Sequence, residues 1–282
     1  MKKREMKKRG IFNIIGQSLK NYFKNLHVAL PMLIWLVISA ILGLIGLAIF
    51  IAANKAEISQ LVALTRPEGL SIEGQNSIAA LAVMPLLIKI LIAFFIFILV
   101  SAIIGSFFFS SMLVFSRNIV NNKPEKSYFK NSFRYSKYWL KLIAVKLIQG
   151  ILVLCYLAIL FGLILLAKKL AWLVLLLIII FAIAGYLLYL FILPAPYGLV
   201  FYDSKILNSF KISIKQVYRN YLPFLLLNII VDLCWLVFSI AFSLIPFVGS
   251  PLVFLLNWLF LIPFEALLFM LFMKERFEWE NC

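Results

Sequence analysis

The feature that most constrains this chain is a series of six apolar runs, near residues 28–52, 81–116, 140–167, 170–193, 222–246 and 252–273. Each is long enough for the ~20 residues with which a helix crosses a bilayer core. Soluble domains are about half apolar and about a quarter charged, whereas 65% of these 282 residues are hydrophobic and 13% are charged. The expected fold class is therefore all-α: a polytopic integral membrane protein of six transmembrane helices, forming a single membrane domain over residues 1–282. The second run exceeds what a span requires, so its helix either tilts strongly or continues beyond the lipid. Pro194 and Pro196 close the fourth run, where a helix stops or kinks. Pro246, Gly249 and Pro251 mark a tight hairpin between the fifth and sixth.

Lys and Arg alternate in number from one side to the other. Eight fall in residues 1–27, seven in 117–141, four in 194–221 and two after 273, against only Lys55, Arg66, Lys168 and Lys169 on the opposite side. The positive-inside rule then places both termini and most basic residues on the cytoplasmic side of the cell membrane. The basic start, Lys2 to Arg9, resembles a signal-peptide n-region, but the apolar run that follows continues to Ala53 and is too long for an h-region. An uncleaved first span is expected. The net charge of +16 sits beside the apolar runs and not in a nucleic-acid reading motif, so nucleic acid is not an expected partner. Anionic headgroups are, at roughly 1 kcal/mol for each basic residue near the surface.

Internal repetition organises the chain further. Ser18-Leu-Lys-Asn-Tyr-Phe-Lys-Asn25 before the first span matches Ser213-Ile-Lys-Gln-Val-Tyr-Arg-Asn220 before the fifth at seven of eight positions, identical or chemically close. Ser132-Phe-Arg-Tyr-Ser-Lys-Tyr-Trp139 before the third reads as a shortened copy with a one-residue gap. In the copy before span five, Leu207, Phe210, Ile214, Val217, Tyr218 and Tyr221 recur at helical spacing, with Lys205, Lys211, Lys215 and Arg219 opposite. This predicts an amphipathic helix on the inner leaflet, with Tyr22, Phe23, Tyr138, Trp139, Tyr218 and Tyr221 as an interfacial aromatic belt. The unit is a surface helix followed by a two-span hairpin, repeated over 10–118, 126–200 and 204–276. Repeats of an even number of spans are parallel. The candidate anionic-lipid contacts are Lys20, Lys24, Arg134, Lys137, Lys211, Lys215 and Arg219.

Pro196-Tyr-Gly-Leu-Val-Phe-Tyr-Asp-Ser-Lys205, running into Ser209-Phe-Lys-Ile-Ser213 and Tyr221-Leu-Pro-Phe-Leu-Leu-Leu-Asn228, carries a resemblance. So do Ile245-Pro-Phe-Val-Gly-Ser250 and Lys274-Glu275. The chain resembles a superfamily of six-span prokaryotic membrane proteins that includes the membrane domain of some glycerophosphodiester phosphodiesterases and the YciC-type proteins. The resemblance covers nearly the whole chain and implies a six-helix membrane module of unassigned biochemical role. No segment resembles the soluble phosphodiesterase domain, so that activity is not implied.

Chemistry-bearing motifs are sparse. No Walker A loop, dinucleotide fingerprint or HExxH sequence occurs. His27 is the lone histidine, and Cys155, Cys234 and Cys282 have neither zinc-like nor prenylation spacing. Neither enzymatic activity nor a cofactor nor a metal is expected. Ionisable residues within spans cost ~2.5 to 3.5 kcal/mol at the helix centre, which singles out Lys89, Lys146, Asp232 and Glu265. Lys89 should snorkel outward. At 1.5 Å per residue, Lys146 lies about 10 Å past Trp139, Asp232 about 15 Å past Leu222 and Glu265 about 12 Å before Met273. With Gln149 and Asn228 on the same helix faces, these form a candidate intramembrane polar cluster of Lys146, Gln149, Asn228, Asp232 and Glu265.

Two readings of the cluster stay open: a helix-bundle lock in which Lys146 pairs with an acid, or a path for substrate or proton. Pro263, two residues before Glu265, adds some support for the second. Ser101 and Gly105, with Ala102, Ser106 and Ser110, form small-residue stripes suited to close helix packing. Such faces also leave room for a membrane-protein partner. The first functional expectation is a non-enzymatic, lipid-contacting or scaffolding membrane module, and the second is a transporter or permease.

Overall fold

The computed structural model describes residues 10–64, 72–123, 128–167, 171–246 and 248–277. Lys2 to Arg9, Arg66, Lys168, Lys169 and Cys282 lie outside them. Every regular element among the described residues is helical: α1 (Ile11–Lys24), α2 (Leu30–Ala53), α3 (Lys55–Leu64), α4 (Ile72–Val120), α5 (Tyr128–Arg134), α6 (Trp139–Ala167), α7 (Ala171–Ile192), α8 (Ala195–Phe201), α9 (Ile206–Arg219), α10 (Tyr221–Ser243), α11 (Gly249–Leu256) and α12 (Ile262–Phe277). In hydrocarbon a backbone must satisfy its own polar groups, and a helix does so within one segment. Six stretches are long and apolar enough to cross a membrane: Leu26–Ala53, Met84–Val120, Trp139–Leu166, Trp172–Phe201, Tyr221–Ser243 and Gly249–Arg276. By helix length and composition the chain is a multi-pass membrane protein.

Two compact units divide the chain, Ile34–Gly105 and the residues up to Leu33 together with those from Ser106 onward. Within Ile34–Gly105, α2 and α4 pack through the expected small residues. The Trp35 indole donates to the Ser101 carbonyl at 3.2 Å, and the Ser39 and Ser101 hydroxyls lie 3.3 Å apart. A Cβ at Gly105 would stand 2.8 Å from the Trp35 indole nitrogen, so only glycine admits this approach. Lys89 pairs with Glu57 of α3.

The core of the larger unit lies where the ends of α4, α8 and α12 meet. Met112 to Phe115, Leu199, Val200 and Ala266 to Met273 are all buried there. The surplus length of the second span is thus explained, because the last turns of α4 sit in protein and not in lipid. One amphipathic helix rests on each of the three ends. α5 lies on α4, held by the Ser110 hydroxyl on the Tyr135 carbonyl at 2.9 Å and the Ser111 hydroxyl on the Ser132 carbonyl. α9 packs on α7 and α8, and α1 on α12. Ser18, Ser132 and Ser213 are each fully buried in these contacts, since a small side chain lets one helix backbone lie close to another. The helix terminations of α1 and α9 also agree. Asn25 (φ −132°, ψ 51°) and Asn220 (φ −123°, ψ 33°) stop the two helices, and each donates its side-chain amide to the carbonyl four residues back.

The C-terminal ends of α4 and α8 are closed by one device. In each, a residue with positive φ follows the cap, Asn122 (φ 55°) and Asp203 (φ 49°). The next N–H then returns to the helix, Lys123 to the Asn118 carbonyl at 2.8 Å and Ser204 to the Leu199 carbonyl at 3.0 Å, as in a Schellman cap. The turn into α11 requires glycine for a different reason, because a Cβ on Gly249 would run into the Phe242 carbonyl oxygen.

Two expectations need correction, and the setting of Pro263 is a further finding. Tyr22 and Tyr138 do not join an interfacial belt, since both are buried and act as hydrogen-bonding locks described below. The apolar stripe of α9 is divided: Phe210 and Val217 turn into the protein with Ser209, Ser213 and Gln216, while Leu207, Ile214 and Tyr218 stay exposed. Pro263 does not break the sixth span, which passes through a π-helical turn, Asn257–Leu261, directly into α12. Proline removes a donor from the α-ladder, and the π-helical turn lies just before it.

Candidate functional site

The five residues of the candidate polar cluster do not form one network. Lys146 on α6 reaches neither acid, and its ammonium lies 4.3 Å from the centre of the Phe109 ring of α4. This corrects the expected ion pair: a cation held over an aromatic face keeps much of its stabilisation without a carboxylate. Gln149 turns to the end of α7 and donates to the Ile192 carbonyl at 2.7 Å. That carbonyl would be served by the N–H four residues on, but residue 196 is proline and has none. Asn228 is buried and donates to the Phe224 carbonyl of its own helix at 2.8 Å.

Asp232 and Glu265 do approach each other, on α10 and α12. Asp232, halfway along α10, accepts a hydrogen bond from the Tyr186 hydroxyl of α7 at 2.9 Å. Glu265 lies within electrostatic reach of Asp232, Tyr189 and Tyr197. Tyr197 is buried in α8, packed on Phe269 with ring centres 4.9 Å apart and on Phe109 at 6.4 Å. The site is therefore a pair of carboxylates among three tyrosines, and its cation is set apart on Phe109. Tyrosines 186, 189 and 197 were not candidates from sequence, where they look like ordinary apolar-run aromatics. Beside Tyr186 and Tyr189, a groove of about 770 Å³ runs between α6 and α7, and its lining is almost wholly apolar.

A second polar constellation sits at the basic end. Arg117 of α4 donates to the Tyr138 hydroxyl at 3.2 Å and to the Val200 carbonyl of α8 at 3.0 Å. Lys274 of α12 donates to the Val120 carbonyl, the last of α4, at 2.8 Å. Cations placed on helix C-termini also oppose the negative end of the macrodipole. Lys137 pairs with Asp203 at 3.2 Å. A hydrogen bond from Tyr138, with help from Lys137, holds the Asp203 carboxyl below its ordinary range. The same Tyr138, and then Asp203, push the Lys137 ammonium up. One candidate lipid contact, Lys137, is thus engaged within the protein. Lys20, Lys24, Arg134, Lys211, Lys215 and Arg219 present exposed side chains on α1, α5 and α9.

The Tyr22 hydroxyl of α1 donates to the Leu259 carbonyl at 2.6 Å, and burial pushes this phenol up. Residue 263, four positions after Leu259, is again proline. Ser213 of α9 donates to the Phe191 carbonyl, one of the last of α7, at 2.6 Å. Among the described residues no group of three His, Cys, Asp or Glu side chains converges as a metal site would require.

No protein-family model, no curated protein and no solved structure matches this chain.

Proposed function

We propose that this chain is a non-enzymatic module of the cytoplasmic membrane that contacts anionic headgroups of the inner leaflet through the basic faces of α1, α5 and α9. The observation that carries the reading is their common arrangement. Each buries a serine against the end of a span and leaves Lys or Arg exposed. A basic residue beside an anionic surface is favourable by about 1 kcal/mol, so three such helices make a strong electrostatic footing. Replacing Lys211, Lys215 and Arg219 together by Gln is expected to reduce enrichment of anionic lipid around the protein in mixed nanodiscs. An unchanged lipid composition would sink the reading.

The same arrangement supports three parallel units with both termini inside. The helix of each unit rests on the second span of the preceding one: α5 on α4, α9 on α7–α8, and α1 of the first unit on α12 of the last. The matching Asn25 and Asn220 terminations add to this. Membership of the six-span superfamily is consistent with such an architecture and forms part of the proposal.

A second reading, a transporter or permease, is favoured by one observation, the Tyr186–Asp232 hydrogen bond at mid-span with Glu265 nearby. Acids at that depth mark ion and substrate paths in many membrane proteins. Flux into liposomes that is lost in Asp232→Asn and Glu265→Gln would support it, and flux indifferent to both would remove it.

A further inference from the structure

The α6–α7 groove and the basic face of α9 meet at one residue, Ile214. The groove is walled by such side chains as Leu152 and Leu160 of α6 and Ile178 and Ala182 of α7, and it ends against Ile192 and Ile214. From Ile178 to Ile192 it runs about 21 Å along α7, more than the ~15 Å of hydrocarbon in one leaflet. Lys211 and Lys215, three residues before and one after Ile214, are exposed. Of the polar groups near this mouth, Gln149 serves the Ile192 carbonyl and Ser213 the Phe191 carbonyl. The exposed lysines bring the positive charge that a headgroup phosphate requires.

We propose that the groove holds an acyl chain of an anionic phospholipid whose phosphate sits between Lys211 and Lys215. The length and apolar lining of the groove suit an extended acyl chain, and the position of the lysines selects a headgroup with net negative charge. A zwitterionic headgroup brings its own ammonium into competition with them. The proposal rests on the lipid-contacting reading above and narrows it from a charged surface to one defined site.

The test is native mass spectrometry of the full chain released from vesicles of dioleoyl phosphatidylglycerol and dioleoyl phosphatidylcholine in equal amounts. One retained phosphatidylglycerol is expected. K211Q/K215Q should weaken that retention about 30-fold, from the surface contribution of two basic residues. Ala182 is exposed in the groove, so Ala182→Trp fills the channel without entering the core. It should abolish retention while leaving all charges in place, with Ala182→Phe as a smaller filler and circular dichroism as the check on folding. Inorganic phosphate should not displace the lipid, and displacement would assign the site to free phosphate and overturn the proposal. Equal retention of phosphatidylcholine, or retention unchanged in either variant, would also overturn it. If Ala182→Trp keeps its lipid while the α9 charge variant still loses anionic enrichment in nanodiscs, the groove fails and the broader reading stands.

Discussion

Two prolines set the polar chemistry of this protein by what they withhold. Pro196 denies an N–H to Ile192 and Pro263 denies one to Leu259, and Gln149 and Tyr22 supply the missing donors from other helices. A buried carbonyl left without a partner costs about 1 to 3 kcal/mol, so Tyr22→Phe should lower stability by about that amount in a detergent thermal melt. Pro263→Ala returns an N–H to the helix, and in that background Tyr22→Phe should cost much less. A double-mutant cycle with no coupling would show that the two residues act independently. The acids were legible in the sequence, because charge inside an apolar run is costly wherever the helix points. Their partners were not. Tyr186 hides among aromatics that lipid would accept equally well, and the Phe109 ring beneath Lys146 carries no polar mark at all. The rule that could have found Gln149 and Tyr22 is an offset: a proline inside a span demands a donor for the carbonyl four residues earlier.

At the scale of the element, α9 shows what helical periodicity can and cannot reveal. Its 3.6-residue pattern identifies an amphipathic helix. It does not say which face meets protein, because hydrocarbon and protein core both accept apolar side chains. Here the protein takes the serine-centred face and leaves Leu207, Ile214 and Tyr218 outside. The turn before α9 carries its own pH dependence. Asp203 is held below its ordinary range, first by Tyr138 and then by Lys137, so its link favours the folded state above the unfolded carboxylate value and is lost as pH falls through the lowered one. Lys137, pushed up, contributes below the ordinary ammonium range and ceases to as pH rises through its own raised value. The pair therefore helps most between those limits, about pH 4 to 10. Asp203→Asn keeps a side chain that tolerates positive φ and should flatten the acid limb of a melting-temperature profile by lowering the midpoint slightly near neutral pH while leaving it unchanged in acid, below the lowered carboxyl value. An acid limb as steep as that of the unmodified chain would assign the pH dependence to other groups. Schellman caps at the ends of α4 and α8 were not foreseen, because Asn122 and Asp203 advertise a turn but not the particular return bond.

For the molecule as a whole, apolar run length announced six spans, and nothing finer than solvent was needed to read that. The burial of the ends of α4, α8 and α12 was hidden, since a core helix and a lipid-facing helix have the same composition here. The Tyr22–Leu259 hydrogen bond ties α1 to the π-helical turn that leads into α12, 237 positions away, and α1 packs on α12 itself. A chain that stops after α10 therefore leaves α1 without the surface it rests on, and proteolysis of such a truncated chain in membranes should cut within Ile11–Lys24, where the full chain resists. Equal resistance would mean that α1 is held by something other than α12.

During synthesis that long separation becomes a matter of time. Helix α1 is made well before the sixth span, so the Tyr22 hydroxyl lacks the Leu259 carbonyl until the segment that carries it has been inserted. A product that stalls before Leu259 is therefore expected to keep α1 unlatched and open to proteases.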